Sequence, residues 1–181
     1  MQIQDGKGTG YLARVNSENQ IHTYSEIETE IQHTSEEEGQ AYIWTMASAL
    51  AADKNLLWLR NDNTTDPLII DSIMVGCDDA TGLVEIWTGT GNTAGGATVT
   101  GVNLNRGSNN AALATGKSLN TNVDGGTGMT LLLSAQVPAG ASLQIQTHGL
   151  ILGYRDEVAI NIVTDILLPT ATIVGYYHKN K

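Results

Sequence analysis

The stretch MTLLLSAQVPAGASLQIQTHGLILGYRDEVAINI, from Met129 to Ile162, constrains the fold more than any other part of the chain. Met129, Leu131, Leu133, Ala135 and Val137 fall on one side of an extended chain and Thr130, Leu132, Ser134 and Gln136 largely on the other, the period-two pattern of a half-buried strand. Val137-Pro138-Ala139-Gly140 then sets proline, with φ already held at about −65°, at the second position of a β-turn and glycine at the fourth, so the chain reverses. A second strand follows, in which Leu143, Ile145 and Ile151 share a parity with Thr147, Gly149 and Gly153 against Gln144, Gln146 and His148. After a polar turn at Arg155-Asp156-Glu157 comes a third strand, Val158 to Val163. Three strands joined by tight turns read as a β-meander, and the chain before it has to supply the facing sheet.

That earlier chain keeps the same period. Ala41 to Met46 is a candidate strand with Tyr42 and Trp44 on one face, Asn55 to Asn61 another, closed by Asp62-Asn63-Thr64-Thr65-Asp66-Pro67, and Leu68 to Gly76 a third. Gly82 opens a further strand through Leu83, Ile86 and Trp87, and Ala97 to Asn105 alternates again. The alanine-rich run from Ala47 to Lys54 is long enough for a helical turn and too short for a helix. Asn105 to Gly128 is small and polar and reads as one long exposed excursion with a short strand near Leu119; Ala171 to Tyr177 is the C-terminal strand. About eight strands separated by turn signals, with no long amphipathic helix, predict an all-β fold: an antiparallel β-sandwich of jelly-roll type.

With 181 residues and 41% hydrophobic content the chain can bury a core without staples, and its single cysteine excludes an intrachain disulfide. No stretch approaches the roughly 20 apolar residues of a membrane span, and the N-terminus lacks the basic and apolar regions of a secretion signal, so a soluble product of a cytoplasm is expected, without a membrane partner. A net charge of −10 argues against nucleic acid as a partner, since its phosphates would be repelled.

The charge is uneven. Residues 1–38 hold eight carboxylates, at Asp5, Glu18, Glu26, Glu28, Glu30, Glu36, Glu37 and Glu38, against Lys7 and Arg14, which leaves −6 there and −4 for the rest. Within this segment Tyr11 to Val15 and Gln20 to Tyr24 flank an Asn16-Ser17-Glu18-Asn19 turn as two short strands. A hairpin of that size cannot bury enough surface to stand alone and needs a docking surface. Glu26 to Ser35 alternates acidic and apolar residues as extended chain or an edge strand would, and Glu36-Glu37-Glu38-Gly39 reads as a solvated linker. The division is therefore an N-terminal arm with its acidic linker, residues 1–38, and a sandwich domain, residues 39–181.

Several motifs resemble chemistry without its context. Gly89-x-Gly91-x-x-Ala94 matches the loose dinucleotide fingerprint, yet no β-α-β pattern surrounds it. Ala114-Thr115-Gly116-Lys117-Ser118 resembles the end of a phosphate-binding loop, but Ala111 stands where the leading glycine belongs. His22, His33, His148 and His178 lack the spacing of a zinc site, Asp78-Asp79 reads as a turn rather than a calcium site, and Cys77, beside those acids, reads as a strand end rather than a nucleophile. Asn63-Thr64-Thr65 has the form of a glycosylation site and no secretory route to give it meaning. No catalytic residue, cofactor site or metal site is expected.

The opening Gln4-Asp5-Gly6-Lys7-Gly8-Thr9-Gly10-Tyr11-Leu12-Ala13-Arg14-Val15, continuing to Thr23, resembles the DGxGxGxxAxVxxxxxL opening found on tailed-bacteriophage structural proteins. Thr100-Gly101-Val102-Asn103-Leu104-Asn105-Arg106-Gly107-Ser108 is similar to a stretch in such proteins as well. Together they span about thirty residues, and the best fit is the capsid decoration, or cement, class. That resemblance implies a β-sandwich body, a homotrimer, a place on the outer surface of the virion head after synthesis in the host cytoplasm, and the major capsid protein as partner. It carries no catalytic residues. The arm residues expected to contact the capsid or a neighbouring subunit are Asp5, Lys7, Tyr11, Leu12, Arg14, Val15, Ile21 and Tyr24. Two rival readings follow from other features: a head-fibre or tail-associated module that stacks Trp44, Trp58 or Trp87 on sugar rings, and a hydrolase or lyase on a β scaffold, for which histidine is scarce.

Overall fold

The computed structural model describes residues 3–4, 12–13, 29–47, 54–90, 95–121, 128–163 and 168–178. In chain order the elements are strands β1 (Ile3–Gln4) and β2 (Leu12–Ala13), helix α1 (Glu30–His33), a π-helical turn Thr34–Glu38, and strands β3 (Ala41–Ala47), β4 (Lys54–Asn61), β5 (Leu68–Cys77) and β6 (Gly82–Thr90). They continue with β7 (Ala97–Val99), β8 (Val102–Asn103), β9 (Ala114–Thr121), β10 (Thr130–Val137), β11 (Ala141–Leu152), β12 (Asp156–Ile162) and β13 (Thr170–Tyr177).

The protein is an antiparallel β-sandwich. One sheet runs β10-β6-β12-β4-β9-β7 and the other β11-β5-β13-β3-β8, while β1 and β2 pair with each other as a separate two-stranded sheet. Inward side chains from both sheets form one core that includes Tyr42, Trp44, Leu57, Leu59, Ile73, Val84, Ile86, Val158, Ile160 and Ile173. Each such side chain contributes about 1.5–3 kcal/mol through burial. The Tyr42 ring lies edge-on to Tyr177 with centroids 5.7 Å apart, and tilted 5.9 Å from Trp44. Room for the Trp44 indole comes from two glycines, because a Cβ on Gly101 would lie 2.6 Å from Trp44 Nε1 and one on Gly116 would lie 2.4 Å from the Val99 carbonyl.

The strands and turn of the Met129 to Ile162 stretch are present, but their pairing is not a meander. β10 and β12 lie in the six-stranded sheet and β11 in the five-stranded one, so both connections cross between sheets. The turn itself is as expected: Gly140 has φ +71°, and the Ala141 amide donates to the Pro138 carbonyl at 3.1 Å. A tight turn reverses the chain equally well within a sheet or across a sandwich, and period-two alternation names the buried face without naming the partner strand.

Bulges account for the side chains that face the other way. Between Leu131 and Leu133 the register of β10 against β6 slips, so Leu131 sits opposite Trp87 while Leu133 sits opposite Ile86 and packs on the core. Between Gln146 and Leu150 the register of β11 against β5 slips too, around Gly149 at φ +106°. That slip brings Leu150 and Leu152 inward and leaves Ile151, expected on the same face as Leu143 and Ile145, 59% exposed.

Two segments depart from the expected conformation. Residues 30–38 are helical rather than extended chain and solvated linker. The short strand expected near Leu119 is present as β9, but it starts earlier, at Ala114, and joins the six-stranded sheet by pairing with β4 along its length and with β7 over Ala97–Val99, so this part is not an exposed excursion. Most of the alanine-rich run between β3 and β4 lies outside the described residues.

Candidate functional site

The acidic helical segment is fastened to the body at its C-terminal end, where helix carbonyls lack intrahelical partners. Thr29 caps the start, accepting from the Gln32 amide at 3.3 Å, and Gly39 at φ +60° ends it. Asn103 Nδ2 donates to the Gly39 carbonyl at 2.7 Å, Asn110 Nδ2 to the Glu38 carbonyl at 3.1 Å, Asn105 Nδ2 to the Glu36 carbonyl at 3.4 Å and Ser108 Oγ to the Gly39 carbonyl at 3.2 Å. The loop is held in shape by its own Asx turns, with the Asn105 amide bonded to Asn103 Oδ1 and the Gly107 amide to Asn105 Oδ1. At the other end His178 Nδ1 stands 3.4 Å from Glu30 Oε1. Asparagines spaced two apart, at positions 103 and 105, were the available signal for this device, and they lie within the stretch that resembles phage proteins.

Of the arm residues singled out from the sequence, Leu12 lies in β2, opposite Gln4 of β1. Asp5, Lys7, Tyr11, Arg14, Val15, Ile21 and Tyr24 lie outside the described residues.

A second cluster covers the outer face of the six-stranded sheet. Trp58, Ala159 and Trp87 stand side by side across β4, β12 and β6, with Met129 packed on them. Trp58 Nε1 donates to Glu157 Oε2 at 2.7 Å, and both residues are fully buried. The Arg60 guanidinium lies 5.3 Å from the Trp58 ring centroid and bonds Asp62 through Nε at 2.9 Å and through Nη2 at 3.3 Å. Asp62 also accepts from the Thr115 hydroxyl, and Arg155 stands 3.7 Å away. Burial pushes the Asp62 carboxyl up, but the bonds from Arg60 and Thr115 and the charges of Arg60 and Arg155 outweigh it and hold it below its ordinary value. Trp44 and Trp58 are thus enclosed and offer no ring to a sugar; Trp87 is half-buried, its Nε1 bonded to Glu85 Oε2 at 3.1 Å.

The remaining motifs resolve into framework. Ala114 to Ser118 is strand, with no helix to carry a phosphate loop, and Gly89 is strand as well. Cys77 ends β5 as a buried thiol, pushed up first by burial and then by Asp79. Asn63 accepts from the amide and hydroxyl of Thr65 in a closed turn. Among the described residues no three His, Cys, Asp or Glu side chains gather to hold a metal ion, and no helix is long and apolar enough to cross a membrane. A cleft of about 410 Å³ opens between the edge strands β10 and β11, where the two bulges face each other over Ile73 and Ile86.

Comparison of the chain with protein-family models, with curated proteins and with solved structures returns no match.

Proposed function

We propose that the chain is a non-enzymatic bacteriophage capsid decoration protein, a homotrimer with a jelly-roll body that binds the outside of the head shell and stabilises contacts between major capsid proteins. The observation that carries this reading is the small sheet of β1 and β2, paired with itself beside a sandwich that has its own complete core. Two-residue strands cannot hold a hairpin by their own burial, so this one gains stability from a surface it docks on. Attachment to a repeating shell supplies such a surface many times over, and strand addition by an extended arm is a common way to use it. The resemblance of the residues from Gln4 to Thr23 to phage structural proteins supports a head shell as that surface. Support for the jelly roll comes from strand order: β3-β13-β5-β11 faces β4-β12-β6-β10, and in chain order these eight strands change sheets at every step except the one from β6 to β10.

The test is co-sedimentation with expanded, undecorated capsids of the phage that encodes the chain, comparing the whole chain with one that begins at Thr29. That start keeps the helical segment that Asn103 and Asn110 hold, so the sandwich is left intact. Saturable binding by the whole chain and none by the shortened one is the expected result. Failure of both to bind, with adhesion of the whole chain to host cells or glycans, would replace this reading with the host-binding one.

A further inference from the structure

Three successive rows of the outer face of the five-stranded sheet carry no charged side chain. Across the strands Val102, Ile43, Val174, Ser72 and Gln146 form one row. Thr45, Thr172, Met74 and Gln144 form the next. Beyond them lie Ala47, Thr170, Gly76 and Ser142. No Asp, Glu, Lys or Arg stands in these rows; Glu30 and Asp71, whose charges both reach Tyr176, mark the margin. Met74 is 45% and Val102 46% exposed, so among the described residues nothing closes the face. At ordinary strand spacing it measures about 20 Å by about 20 Å. That is the size of the uncharged centre of a standard interface, which takes about 800 Å² from each partner.

We infer that this face is where copies of the chain meet one another. Each copy carries −10, so two copies repel wherever their charges oppose, and a face without charge is where they can approach. Its polar groups are hydroxyls and amides, of Thr45, Thr172, Ser72, Ser142, Gln144 and Gln146. These donate and accept alike, so the face complements a second copy of itself. Thr45 and Thr172 already show that pairing within the sheet, their hydroxyl oxygens 3.3 Å apart. A basic partner would find no carboxylate in these rows. The inference rests only on the self-association part of the proposed function, and it is read from the free chain without any shell.

The experiment is the mass of the whole chain in solution by sedimentation equilibrium, at rising protein concentration and at low and high salt. The expected result is an assembly of two or three copies that tightens as salt rises from about 50 to about 500 mM, because screening relieves the repulsion between acidic copies. Met74→Glu and Thr172→Glu each weaken it by about tenfold or more by setting like charges opposite one another. Leu131→Glu, a comparably exposed position on β10 that sits opposite Trp87 in the other sheet, leaves the mass unchanged. Circular dichroism confirms that each variant is folded, and Gln144→Glu replaces any that is not. A chain that stays monomeric throughout overturns the inference, as does an assembly that salt weakens, or one that Leu131→Glu breaks and the Met74 and Thr172 variants do not. Loss of shell binding by a chain that still self-associates would count against the decoration role alone.

Discussion

The Trp58 indole nitrogen and the Glu157 carboxylate meet at 2.7 Å on the outer side of the six-stranded sheet, both sealed from solvent. Burying a carboxylate is tolerable when donors reach it, so each residue makes the other's position affordable. Trp58→Phe and Glu157→Ala should each lower stability by about 1–3 kcal/mol, and the double variant by less than the two together. Urea unfolding of the three variants reads this directly. Additive losses would show that the bond contributes no coupling.

Asp62 gives the acid side of the stability curve a defined shape. Its folded value lies below the ordinary 3.8, so its contribution is complete above that pH and is lost as pH falls through the folded value. The side chain is partly solvated, and Asp62→Asn should cost about 1 kcal/mol at neutral pH. Thermal melts of the variant and the parent should converge as pH falls below 3.8. A gap that persists unchanged to low pH would assign the cost to packing.

Tyr177 governs the alkaline side. Burial pushes its phenol above the ordinary 10.0, against the pull of the Leu113 and Ala114 backbone that faces it, and among the described residues its hydroxyl makes no well-aligned hydrogen bond. Stability linked to it is therefore present below that pH and lost as pH rises past it. Tyr177→Phe removes a buried hydroxyl that makes no well-aligned hydrogen bond, so stability at pH 7 should hold or rise, and the loss above pH 10.0 should shrink. Tyr42 and Cys77 are raised by burial as well, so part of the alkaline loss remains.

The acidic helical segment should loosen before the sandwich does. Asn103→Ala removes the 2.7 Å bond to the Gly39 carbonyl and costs about 1–2 kcal/mol. Hydrogen exchange at the His33 and Gln40 amides, which bond the Thr29 and Thr34 carbonyls, should then quicken with little change at β13. Equal quickening in both places would mean that segment and sandwich open as one unit.

What could be read from residues alone was local. Pro138 and Gly140 announce their turn because each has a backbone preference of its own, and the alternation of Val84, Ile86, Val158 and Ile160 announces strands whose inner faces are buried. The bulges at Leu132 and before Leu150 add residues without a compositional mark, and each shifts every later side chain to the opposite face. Trp58 sits in an apolar run like any core residue, and only the register with Ala159 and Trp87 reveals that it faces outward. Glu36 to Gly39 reads as a solvated linker because its partners, Asn105 and Asn110, are about seventy residues away and act on its backbone, which carries no sequence signal.

β13 is the middle strand of its sheet, held between β5 and β3, and in chain order it follows every other described strand. Until Thr170–Tyr177 has left the ribosome, β3 and β5 have a vacant lane between them, and both present unpaired backbone to whatever is near. The sandwich is therefore completed from the tail inward, after translation has passed this strand, and its closure depends on contacts between the most distant parts of the body. A nascent chain paused before Thr170 holds two open edges in its central sheet, the state in which intermolecular pairing competes with folding.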